Sequence, residues 1–157
     1  MSDHEGFMRE AIELAQEKML EGHGGPFGAI IVRDSEIIGR GWNQVTSAND
    51  PTAHAEVMAI RDACSRIQEF SLASGTIYCS CEPCPMCLGA IYWSRLDSIY
   101  FAGSSADAAE AGFDDRHIYE ELNLPQQSRS LPMQQLLQTD ALDVFSQWKR
   151  KEDRIDY

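Results

Sequence analysis

No stretch of the sequence approaches the about 18 consecutive apolar residues that a membrane-spanning helix requires, so a transmembrane protein is not expected. The start, Met1-Ser2-Asp3-His4-Glu5, lacks the basic-then-apolar pattern of an export signal, and a cytoplasmic protein is expected. Glycine and proline are scarce, 11 and 6 among 157 residues, which excludes collagen-like and low-complexity chains. Positive charge is scarce too. Thirteen Lys and Arg stand against 25 Asp and Glu, a formal net charge of -12. That balance repels a polyanion, so the expected partner is a small neutral or cationic molecule and not a nucleic acid or a membrane.

What is present is the composition of an ordinary globular domain, 43% hydrophobic and 24% charged. One domain over residues 1–157 is expected, since a chain of this length buries roughly 70% of its unfolded surface without help from disulfides. The five cysteines, Cys64, Cys79, Cys81, Cys84 and Cys87, are odd in number, and four of them crowd into nine residues. Without an export signal, that crowding points to metal binding or redox chemistry before a disulfide framework.

Ser2 and Glu5 form a capping-box pattern, and Phe7, Met8, Ala11, Ile12, Leu14, Ala15 and Met19 recur at helical spacing until Gly22. Phe27 to Val32 and Ile37 to Trp42 flank a polar turn, the pattern of a hairpin. Asn43 to Asp50 is a polar loop, and Asp50-Pro51 can open a helix that runs to about Arg66. Thr76 to Ser80 reads as strand, Met86 to Ser94 as helix and Ser98 to Ala102 as strand. Asp107 to Glu121 holds six acids against one Arg and carries a weak helical signal at His117 to Leu122. Met133 to Gln138 is a candidate last strand and Ala141 to Lys149 a last helix, and Arg150 to Tyr157 has no periodicity. The expected fold class is α/β: a three-layer α/β/α sandwich around a mixed five-stranded sheet.

His54-Ala55-Glu56 and Pro83-Cys84-Pro85-Met86-Cys87 match the H-x-E and P-C-x-x-C signature of zinc deaminases. Residues two apart on a helix point about 200° apart, so His54 and Glu56 can address one spot only from a helix N-terminus. Cys84 and Cys87, three apart, share one side of the first turn of the next helix. Free N–H groups there favour the thiolate that binds zinc. One His and two Cys make three ligands and leave a fourth position for water, whose pKa zinc can bring to about 7. The competing reading is a closed structural Cys3His site with Cys81 as the fourth ligand, which leaves Glu56 without a task. On residue type alone, His23 reads as a solvated loop residue and Cys64 and Cys79 as small buried apolar groups. Trp93 reads as core, and the acids around Asp114 and Asp115 as solvated surface.

The chain resembles the cytidine deaminase superfamily, and within it the short bacterial guanine deaminases. The likeness rests on Gly24-Gly25-Pro26-Phe27-Gly28-Ala29, Asn49 to Glu56, Ser80 to Cys87, and Ala108-Ala109-Glu110-Ala111-Gly112-Phe113-Asp114-Asp115. It implies zinc held by His54, Cys84 and Cys87, with Glu56 as the proton carrier. It also implies a base pocket lined by Phe27, Asn43, Trp93 and the backbone of Ala55, with Asp115, its neighbour Asp114 and Tyr157 facing the guanine edge. A domain-swapped homodimer is implied as well, each site closed by the other subunit's tail, residues 150–157. The expected reaction is hydrolysis of guanine to xanthine and ammonia. A tRNA adenosine deaminase and a non-catalytic zinc-stabilised module are the alternatives. The first would need a basic surface, and the only basic cluster, Lys149, Arg150, Lys151 and Arg154, is diluted by Glu152, Asp153 and Asp156.

Overall fold

The computed structural model describes residues 3–157, and the chain divides into two compact units, Met1–Asp115 and Arg116–Tyr157. The first unit opens with helix α1 (His4–Leu20), capped by Asp3, whose Oδ1 accepts from Gly6 N at 2.8 Å. The capping box expected from Ser2 lies outside the described residues. Strands β1 (Gly28–Arg33) and β2 (Glu36–Trp42) form the expected antiparallel hairpin. Its two-residue turn places Asp34 and Ser35 at φ of 53° and 65°, the left-handed pair that matches the twist of the flanking strands. The polar loop after it contains a single helical turn, α2 (Val45–Ala48).

Helix α3 (Ala55–Ile67) begins four residues later than the expected start at Pro51. Asp50 does not cap it. Its Oδ1 accepts from Thr52 N at 2.8 Å and from Thr52 Oγ1 at 2.7 Å, closing a turn over Pro51. The N-cap position passes to His54, in extended backbone. Strand β3 (Thr76–Cys81), helix α4 (Pro85–Trp93), strand β4 (Ser98–Gly103) and the short helix α5 (Ser105–Glu110) complete the unit.

The sheet order is β2-β1-β3-β4, with β1 antiparallel to both neighbours and β4 parallel to β3. Successive side chains of a strand point to opposite faces, and the core divides accordingly. Ile30, Val32 and Tyr78 pack with Ala11, Phe7 and Met8 beneath α1. Ala29, Ile31, Ile77 and Cys79 pack with Ala55, Ala59, Ala63 and Ile91 beneath α3 and α4. This is the expected three-layer α/β/α arrangement. Gly41 lets α3 lie directly on β2, since a Cβ there would stand 2.1 Å from the Ala55 carbonyl oxygen.

Among the described residues the sheet has four strands, not five. The second unit holds α6 (Arg116–Asn123), one 3-10 turn (Gln126–Ser128) and α7 (Gln138–Arg150), all helical or irregular. The strand expected over Met133 to Gln138 does not form: Leu137 adopts a left-handed φ of 51°, which breaks an extended run, and Gln138 already opens α7. No described residue of this unit is buried. No helix among the described residues is long and apolar enough to cross a membrane.

Candidate metal and catalytic site

Two helix N-termini of the first unit converge on one point. His54 is the N-cap of α3 and Cys84 the N-cap of α4, with Pro85 at the first helical position and Cys87 one turn along. His54 Nδ1 lies 3.6 Å from Cys84 Sγ and 3.5 Å from Cys87 Sγ, and the three donor atoms all fall within 4.8 Å of one another. A tetrahedral zinc, with bonds of about 2.0 Å to nitrogen and about 2.3 Å to sulfur, separates an N and an S ligand by about 3.5 Å. The two N–S separations therefore match those of a zinc site, and the donor chemistry, one imidazole and two thiols, suits that metal.

The electrostatics of the cluster follow from its hydrogen bonds. Cys84 accepts from Cys87 and from His54, which together bring its thiol down to about 4 against the desolvation it suffers. Cys87 moves the other way, as the donor to Cys84 and through burial. The hydrogen bond to Cys84 raises His54 against its own burial. Glu56, in the first turn of α3, is 8% exposed, and its Oε2 lies 3.3 Å from Cys87 Sγ. Burial raises its carboxyl above the ordinary range, which favours a group that can both take and return a proton.

Cys81 is not one of the clustered donors. Its Sγ donates instead to the Ser104 carbonyl at 3.7 Å. The group is thus a three-donor set, the number that leaves a coordination position open.

Phe27 and Asn43 are tied together beside β1 and β2. Asn43 is buried, its N–H donates to the Phe27 carbonyl at 3.1 Å, and its Oδ1 accepts from Gly25 N and Val45 N, both at 3.2 Å. With Oδ1 engaged by the backbone, the Nδ2 end of the amide is the end that can donate elsewhere. Ala55 is buried at the first position of α3, where a backbone N–H has no partner within its own helix. Asp115 is half-buried. Its carboxyl is raised by burial first, then by the negative charges of Cys84, Asp114 and Glu82, which places it in the electrostatic reach of the metal-ligand loop. Asp114 is exposed.

Residues 1–103 match the cytidine and deoxycytidylate deaminase zinc-binding region. The chain belongs to that family. It is 49% identical over 155 residues to the guanine deaminase of Bacillus subtilis, with 99% of each chain covered. The X-ray structure of guanine deaminase from Bacillus subtilis superposes with a TM-score of 0.96, again over 99% of each chain. A tRNA-specific adenosine deaminase of Haemophilus influenzae is 37% identical over 97% of this chain and 88% of its own.

In this member of the cytidine deaminase family, Trp93 is not core. It is 65% exposed and, with Gly89, Tyr92 and Arg95, borders a shallow concavity of about 250 Å³ on α4. Cys87 and Ile91 take the inward face of α4, and Trp93, two residues past Ile91, points about 200° away from it. It stands nine residues, about 13 Å of helix rise, from Cys84. Tyr157 ends the second unit and is exposed. His23 is a half-exposed loop residue, as its setting suggested, with Nε2 3.1 Å from Glu21. Cys79 is buried core and Cys64 half-buried against it.

Two residues of the site region escaped sequence reasoning. Glu82, between Cys81 and the Pro83-Cys84 turn, accepts from Ser105 N at 2.8 Å and so fastens the start of α5 to the metal-ligand loop. Phe113 sets its ring edge-on to Phe27, with centroids 4.9 Å apart and planes at 85°. Both contacts join segments distant in sequence, and no local spacing announces them.

Proposed function

We propose that this chain is a guanine deaminase, converting guanine and water to xanthine and ammonia. The observation that carries the reading is a three-donor His54, Cys84, Cys87 cluster with a buried carboxylate, Glu56, against one of its sulfurs. The full-length identity to a guanine deaminase supports the choice of base. Zinc bound by His54, Cys84 and Cys87 supplies a Lewis acid that makes a water nucleophilic near neutral pH.

The chain's own residues do the rest. Glu56 accepts a proton from the attacking water and gives it to the ring nitrogen, then takes the proton of the hydroxyl newly bonded to C2 and gives it to the amine, which leaves as ammonia while the C2 carbonyl forms. Phe27 offers a ring face or edge to the purine, and Asn43 Nδ2 and the Ala55 N–H donate to it, while Trp93, on the side of α4 away from Cys87, would join a purine pocket only through the homodimer described below. Asp115 accepts from the N1–H and amino edge that guanine presents and adenine does not, with Asp114 beside it. A buried acceptor left unpaired by adenine costs a few kcal/mol, enough to discriminate.

The same reading includes a domain-swapped homodimer whose exchanged tail brings Tyr157 to the other subunit's site. Its support is apolar surface in need of cover: Leu136, Leu137, Val144 and Phe145 in the second unit, and Tyr92, Trp93 and Phe101 in the first, are between 49% and 79% exposed. Thiol ligands that must stay reduced suit a cytoplasmic setting and a role in purine breakdown.

Ammonia release from a panel of free bases, nucleosides and a tRNA anticodon stem-loop tests the proposal. Guanine is the expected substrate. Inosine formed in tRNA at a rate comparable with xanthine from guanine overturns it in favour of the tRNA deaminase reading, and zinc binding without turnover of any substrate favours a non-catalytic module.

A further inference from the structure

The sequence block Ala108 to Asp115 does more than supply a carboxylate, because its backbone ends in a defined lock. Helix α5 is held at its start by a reciprocal capping box between Ser104 and Asp107 and by the Glu82 carboxylate on Ser105 N. It is closed at its end by two bonds, Phe113 N to Ala108 O at 2.9 Å and Gly112 N to Ala109 O at 3.0 Å, around Gly112 at φ 95°. This is a Schellman closure, in which the left-handed residue is a glycine and the residue after it turns back onto the fold. Here that residue is Phe113, and Asp115 follows two positions on.

The turned-back ring meets Phe27 edge-on, with centroids 4.9 Å apart. Both rings rest on the same backbone. A Cβ added to Gly25 would stand 3.3 Å from the Phe27 ring and 3.6 Å from the Phe113 ring, and the N–H of Gly25 is one of the two that donate to Asn43 Oδ1. Phe27 and Asn43 are tied directly by the Asn43 N–H on the Phe27 carbonyl, and the segment that carries Asp115 reaches them through Phe113 and Gly25.

We propose that Phe113 is a positioning residue that sets the distance between the Phe27 ring and the Asp115 carboxylate, and so decides which base is held productively. The proposal rests on the guanine deaminase reading and on Asp115 facing the base. Phe113 has no group that can bind a metal or carry a proton. It acts by fixing two groups that do touch the base, and small displacements of such groups are costly: about 1 Å can reduce rate by about a hundredfold.

The test is a set of variants of the full zinc-loaded enzyme, assayed for kcat and KM on guanine, with zinc content and Tm measured in parallel. Phe113→Leu keeps an apolar side chain but loses the edge contact. The expected result is a fall in kcat/KM of about tenfold to a hundredfold with zinc retained, and recovery of most of it by Phe113→Tyr. Gly112→Ala, which strains the closure without altering either ring, should reproduce the Phe113→Leu pattern. In an Asp115→Asn background, Phe113→Leu should have much less effect, because the group it positions has already lost its charge. Equal effects of Phe113→Leu in the two backgrounds, alongside a large loss in Asp115→Asn itself, overturn the positioning role and leave the function intact. An Asp115→Asn enzyme with unchanged kinetics removes Asp115 from the site, and this proposal with it.

Discussion

The two units of the chain solve the problem of apolar surface differently. Met1–Asp115 buries Ile30, Ile31, Leu72, Ile77 and Tyr78 to 1% exposure or less on the two faces of one sheet, and its site hangs on helix ends anchored in that core. Arg116–Tyr157 has 15 apolar residues among 42 but buries none, with Leu136 and Leu137 more than 70% exposed. Charge divides as unevenly: the first unit holds 18 of the 25 acids and 7 of the 13 bases, the second 7 acids and 6 bases. The first unit carries its own core and chemistry. The second leaves its apolar side chains exposed, and that exposure is the observation behind the proposed exchange between subunits.

The sharpest way to test the comparison is to strike the first unit alone. Glu56→Gln should lower kcat by about 10²–10⁴ while zinc content and oligomeric state stay as in the parent, because only the proton carrier changes. Cys84→Ser should lose metal where Cys81→Ser keeps it, as measured by bound zinc after dialysis. Equal loss in both would return Cys81 to the ligand set and favour a closed structural site.

A smaller effect is expected from the far end of the second unit. A chain stopped after Asp156 should keep zinc and dimer but lose about tenfold or more in turnover, as expected when a closing element is removed. Mixing it with Glu56→Gln subunits should restore part of the activity if tails act in trans, since the intact Glu56 and the intact tail then lie on different chains. A truncated enzyme with unchanged rate and KM leaves Tyr157 as a frayed end.

Charging the second unit's apolar face comes next. Phe145→Asp should weaken self-association by about 2 kcal/mol or more, seen as a rise in the dimer Kd by sedimentation, while zinc binding is unaffected. An unchanged Kd would mean that this face is not what the partner covers. The smallest effect concerns a single backbone position. Leu137→Gly relieves a left-handed conformation at an exposed residue and should raise Tm slightly, by an amount equivalent to about 1 kcal/mol or less.

The metal cluster was legible because each of its members obeys a local rule. His54 and Glu56 need a helix start, Cys84 and Cys87 need one turn of helix behind prolines, and both conditions are written in adjacent residues. The hairpin and its polar turn, the first helix and the β3-α4-β4 unit were legible for the same reason: periodicity and turn chemistry are short-range. The errors were equally local in origin. Asp50 had two uses for one side chain, a helix cap or a turn over Pro51, and Thr52 supplied two hydrogen bonds that decided for the turn. The run Met133 to Gln138 had the apolar content of a strand, but a strand is defined by its neighbours, and it has none.

By itself, then, the sequence determined the chemistry: a soft three-donor group, a carboxylate two residues from the histidine, an excess of acids over bases. Those depend on residue type and on spacings shorter than one helix. What only the tertiary structure decided is which distant segments meet. It put His54 Nδ1 within 3.6 Å of both sulfurs across 30 and 33 residues of chain, gave Glu82 to the start of α5, and set Phe113 against Phe27. Such contacts arise because a sheet with helices on both faces leaves one set of close-packed solutions for its loops, and packing of that kind has no signature in any single stretch of sequence.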